Sequence, residues 1–170
     1  MTECRAGTEQ RPHDRTITAP AELSSMKMAI GIGNTLRRDD GAGIYVAKRL
    51  EGSGWTALDC GTAPENFTSV VRRAHPEILV LVDAAEMGLS PGEFRIIAKD
   101  AIRDVSIGTH HLPLTHLIDY LQDAAGCIVF VGIQPAVVQD GEGLTPEVMR
   151  GANDLVEILK KECFEALRPL

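Results

Sequence analysis

At 170 residues the chain has the length of one domain with a continuous core. A formal charge of −7, with 44% apolar and 24% charged residues, fits a soluble globular protein and argues against nucleic acid or an anionic membrane as partner. A metal ion or a basic peptide segment suits that field better.

Residues Met1 to Ser25 are polar and read as an extension, leaving 26–170 as the folded domain. They lack the apolar stretch of a signal peptide, and no later run has the length of a membrane span, so a cytoplasmic location is expected. Met28 to Gly33 reads as a buried strand. Gly41 to Leu50 follows as a helix, with Ile44, Val46, Ala47 and Leu50 at helical spacing and Asp39 and Asp40 available to cap it. Thr56 to Cys60 is a second short strand, and Pro64 to Ala74 a helix with proline at its first position.

Ile78 to Val82 is the clearest core strand and ends at Asp83. Gly92 to Ala98 reads as a peripheral strand, Leu112 to Leu121 as a helix with Pro113 in its first turn, and Cys127 to Ile133 as another core strand. Pro146 to Leu167 is a long amphipathic helix with Thr145 as its N-cap. Strand–helix alternation predicts an open α/β sheet with helices on both faces. Cys4, Cys60, Cys127 and Cys163 form no CxxC pair and read as reduced, buried thiols. No exposed heptad or long apolar stripe argues for an obligate oligomer, so a monomer is expected.

Ligands of such sheets bind beyond the carboxyl ends of the strands. The loop there after the first strand carries Gly31, Gly33, Asn34, Asp39, Asp40, Gly41 and Gly43. Two adjacent carboxylates repel each other unless a cation or hydrogen-bond donors use them. Helix capping explains one of them and leaves the second over. Asp83 stands at the same edge, where capping a turn would be its structural role. His110 and His111 lie in a turn before a helix, where a lone histidine is more often structural than a ligand and two adjacent ones shift that balance only modestly. Two carboxylates and an imidazole would make an O,O,N set suited to a divalent transition metal with an open coordination position.

Gly31-x-Gly33-x-x-Leu36, with Asp59 at the end of the next strand, also approaches a dinucleotide-binding fingerprint. Its third glycine is replaced by Leu36, and the aspartate pair would face the pyrophosphate, so no nucleotide is expected. No GxSxG elbow is present for a serine hydrolase, and no cysteine stands beside a recognisable base.

Taken in order, the strings Gly31 to Gly43, Asp59-Cys-Gly-Thr-Ala-Pro-Glu-Asn66, Val82 to Glu93, Thr109-His-His-Leu-Pro-Leu114 and Val131-Gly-Ile-Gln-Pro135 resemble the maturation endopeptidases of NiFe hydrogenase large subunits. The resemblance runs over about residues 27 to 165, and its wording is nearest to the branch serving hydrogenase-3-like enzymes. It implies a three-layer, phosphorylase/hydrolase-like α/β sandwich with a mostly parallel sheet of about five strands. It also implies that Asp40, Asp83 and His110 contact nickel and carry catalysis, with His111 accessory and Asp39 a less certain participant. The implied partner is a large-subunit precursor that brings its own nickel and loses a C-terminal extension. A non-catalytic nickel-binding assembly module and a nucleotide-binding α/β protein are the other readings.

Overall fold

Parallel pairing of apolar strands organises the chain. The computed structural model describes residues 26–107 and 113–170. Strands β1 (Lys27–Gly31), β2 (Thr56–Asp59), β3 (Ile78–Glu86) and β6 (Cys127–Ile133) are mutually parallel, and β4 (Phe94–Ile96) adds an antiparallel edge to β6. Their order is β2-β1-β3-β6-β4, and the two-residue β5 (Ser106–Ile107) pairs antiparallel with the end of β3. The expected single-domain α/β fold with a mostly parallel five-strand sheet is what forms.

Alternation along the central strands sorts their side chains to two faces. Ala29, Val80, Val82 and Val131 pack with α1 (Ala42–Leu50) and α4 (Pro146–Lys160), through Val46, Leu50, Ala152 and Leu155. Met28, Ile30, Leu79 and Leu81 pack instead with α2 (Thr68–Ala74) and α3 (Leu114–Leu121), through Val71, Leu117 and Leu121. The chain starts in the sheet interior, steps outward to β2 and returns on the other side of β1 as β3. The order therefore reverses between β1 and β3, and the crevice at their carboxyl ends is the place such sheets use for ligands.

Several boundaries differ from expectation. Asp83 does not end its strand: pairing with β6 continues through Asp83 and Ala84, because main-chain hydrogen bonds do not require apolar side chains. Pro64–Phe67 is a 3₁₀ turn that leads into α2, and Pro113 precedes α3 in an extended conformation. Helix α4 stops at Lys160, well before Leu167. Glu162 takes a left-handed φ of 56°, Cys163 N–H donates to Ile158 O at 3.1 Å and Glu162 N–H to Leu159 O at 3.2 Å. That is the Schellman stop, made with a residue other than glycine. The last residues return to the sheet edge, where Ile96 N–H donates to Arg168 O at 2.8 Å and Leu170 N–H to Ile96 O at 2.9 Å.

Candidate functional site

Gly31 ends β1, and Gly33 turns the chain with φ 141°. A Cβ on Gly33 would stand 1.9 Å from Asp40 O, so only glycine lets the loop close on itself there. Asn34 N–H donates to that same carbonyl at 3.2 Å, and Asn34 Oδ1 accepts from Leu36 N–H at 3.0 Å in a side-chain-closed turn. Asp39, Asp40 and Gly41 then form a 3₁₀ turn, Arg38–Gly41, that packs against β3.

Gly43, in the first turn of α1, brings that helix onto the sheet. A Cβ there would meet Val82 O at 2.1 Å and Ile32 O at 2.4 Å. The close helix–strand packing that a dinucleotide fingerprint assigns to its third glycine is thus carried by Gly43. Asp59 accepts from Gly61 N–H at 3.1 Å and lies 3.5 Å from Lys48 Nζ.

The adjacent aspartates do different things. Neither gives α1 a side-chain cap. Asp39, fully buried, reaches across the molecule instead. Its Oδ2 accepts from Ala136 N–H at 2.9 Å and Val137 N–H at 2.8 Å, and its Oδ1 from Thr145 N–H at 2.6 Å. The Thr145 hydroxyl also donates to it, at 2.9 Å. Thr145 occupies the N-cap position of α4, but its hydroxyl is spent on Asp39 rather than on capping. The buried charge is met by main-chain amides, the arrangement that makes a buried carboxylate tolerable.

Asp40 is 1% exposed and Asp83 0%. Asp83 Oδ1 accepts from Ala84 N–H at 2.8 Å. Ile32, which opens the loop carrying Asp40, donates its N–H to Val82 O at 2.9 Å, and the turn carrying Asp40 packs against β3, the strand that contains Asp83. His110 and His111 lie outside the described residues. Among the described residues no group of three His, Cys, Asp or Glu side chains is placed to hold a metal ion. What the described chain supplies here is two buried carboxylates, Asp40 and Asp83.

Gln134 follows β6 at the same sheet edge. It is 3% exposed, and its Oε1 accepts from Met87 N–H at 2.7 Å and Leu89 N–H at 3.2 Å while Nε2 donates to Glu86 Oε1 at 2.7 Å. Its side chain thereby fixes the loop that leaves β3 just beyond Asp83. A glutamine following a core strand gives little warning of this in sequence.

Of the described cysteines, only Cys60 is buried; Cys127 is exposed and Cys163 half-buried, which corrects the expectation of buried thiols. Burial, with a smaller contribution from neighbouring Asp59, pushes the Cys60 thiol up to about 12. It is therefore a protonated packing group at neutral pH, not a nucleophile. Among the described residues no helix is long and apolar enough to cross a membrane.

Known proteins share this fold. Residues 44–162 match the family model described as hydrogenase maturation protease, a span that includes Asp83 and begins just after the Asp40 loop. Over 111 residues the chain is 42% identical to the hydrogenase 3 maturation protease of Escherichia coli (strain K12), covering 63% of this chain and 71% of that one. It superposes on the solution structure of an endopeptidase HycI from Escherichia coli with TM-score 0.75 and 33% identity, over 85% of this chain and 96% of that one. The NiFe hydrogenase maturation protease HycI from Thermococcus kodakarensis KOD1 is similar at TM-score 0.70 and 31% identity, over 81% and 91% of the two chains.

Proposed function

This chain belongs to the hydrogenase maturation proteases, and from that premise we propose that it removes the C-terminal extension of a NiFe hydrogenase large-subunit precursor already loaded with nickel. The observation that carries the reading is the pair of buried carboxylates, Asp40 and Asp83, in the β1–β3 crevice. Hard and borderline divalent ions favour such oxygen donors when an imidazole completes the set, and His110 is the proposed third contact. In this reading nickel is part of the substrate, and the enzyme supplies the remainder of its coordination shell.

Recognition through the metal explains selectivity economically. A nickel-loaded precursor brings a cation to the two buried carboxylates, and a nickel-free precursor brings none. Once the metal is seated, hydrolysis adds water across one peptide bond. A carboxylate at the site can take the proton from the attacking water, and the metal can polarise the scissile carbonyl. The proposed setting is the cytoplasm, with the precursor as partner and no nucleotide.

The test is intact-mass analysis of a large-subunit precursor before and after incubation with the purified protein. Nickel-loaded precursor should lose its C-terminal segment, nickel-free precursor should keep it, and Asp40→Ala should slow cleavage at least a hundredfold. Equal cleavage of both precursor forms would sink the recognition mechanism. Binding of the precursor with no change in mass would point to an assembly module instead.

A further inference from the structure

A predominantly apolar pocket of about 270 Å³ opens on the same turn that carries Asp40. Ile44 and Tyr45 of α1, Leu144, and Met149 of α4 contribute to its walls, with Arg38 and Lys48 adding charge. Arg38 and Gly41 both line it, so the two ends of the 3₁₀ turn that holds Asp39 and Asp40 form part of its wall.

Arg38 is the unusual member. It takes a left-handed φ of 51°, a strained conformation for a residue with a Cβ. Its N–H donates to Gly141 O at 2.9 Å, and its Cγ would lie 3.4 Å from a Cβ on Gly141, so the side-chain stem is laid along that loop. Its Nε is buried and has no hydrogen-bond acceptor among the described residues. A strained backbone and a buried donor with no acceptor are both unfavourable unless something arrives to use them. The charge of the pocket agrees: among the described residues no carboxylate lines it, in a chain of net charge −7, and Lys48 already has Asp59 at 3.5 Å. An acceptor attached to an apolar group is the matching chemistry.

We propose that this pocket receives an aliphatic side chain of the precursor segment lying across the Asp40 turn, with the Arg38 guanidinium on its wall donating to a main-chain carbonyl beside that side chain. The inference rests on the hydrolytic reading above, because only a peptide threaded past Asp40 brings an apolar side chain and a carbonyl to this wall together. Met149, 39% exposed, gives the pocket an adaptable rim that admits aliphatic chains of different shape.

The test measures binding and cleavage separately, using nickel-loaded large-subunit precursor with wild type, Met149→Trp to fill the pocket, Arg38→Met to remove the donor, and Arg150→Trp as a bulky control one residue further on. Thermal melts of all variants establish that they are folded. Met149→Trp should raise the dissociation constant at least tenfold and Arg38→Met at least threefold, while Arg150→Trp binds as wild type does. Replacing the aliphatic residues around the mapped cleavage point by alanine should erase the difference between wild type and Met149→Trp. Wild-type affinity in Met149→Trp overturns the pocket assignment, as does self-association of this chain that Met149→Trp abolishes. Precursor binding without cleavage, still weakened by Met149→Trp, overturns the hydrolytic reading and supports the pocket. No binding by wild type overturns both.

Discussion

The carboxylate of Asp39 accepts main-chain hydrogen bonds from segments 97 to 106 residues away in sequence. Removing it leaves the amides of Ala136, Val137 and Thr145 without their acceptor inside the protein. Asp39→Ala should therefore cost about 3 kcal/mol of stability, measurable by urea unfolding. Asp40→Ala should keep a cooperative melt while losing processing. An Asp39→Ala variant as stable as wild type would show that those amides find other acceptors. The sequence made it possible to say that two adjacent aspartates exceed what one helix cap needs, and to single out Asp40 and Asp83. It gave no hint of the partners of Asp39, because long-range contacts between a carboxylate and main-chain amides leave no spacing pattern.

At the scale of elements, β1, β3, β6 and α1 were legible because their apolar periodicity is strong. The ends were harder to read. The strand containing Asp83 runs on through the acid because Gly132 and Ile133 continue to offer main-chain partners, which the hydrophobic run does not record. Helix α4 stops at a Schellman turn whose left-handed position holds Glu162 rather than glycine, so the usual stop signal is missing. Helix α2 also ends on a left-handed residue other than glycine, exposed His75 at φ 44°, but through the single bond from its N–H to Val71 O at 3.0 Å, because Pro76 has no N–H to complete a Schellman turn. Glycine takes that conformation without the Cβ penalty, and its greater freedom in the unfolded chain offsets part of the gain. His75→Gly should accordingly stabilise the protein by about 0.5–1 kcal/mol, seen as a shift in the urea midpoint with unchanged slope. A lower midpoint would mean that the imidazole makes a contact worth more than the strain.

For the whole molecule, the order of the sheet does what the composition cannot: by reversing between β1 and β3 it brings Asp40 and Asp83, far apart in sequence, to one crevice. The alternation of strands and helices foretold the α/β class, and the family resemblance foretold the sandwich. The opposite border of the sheet has a consequence of its own. Strand β4 is an edge, and an uncovered edge is a template on which further strands can add. Here Arg168 and Leu170 occupy the outward-facing N–H and C=O of Ile96. Deleting residues 168–170 should uncover that template and convert a monodisperse sample into one that grows in light scattering over hours, while a truncated protein that stays monodisperse would show that the edge is protected by other means. Residues 168–170 then act as a built-in blocker of strand addition, so the solution lifetime of the protein depends on how firmly this segment stays docked on β4.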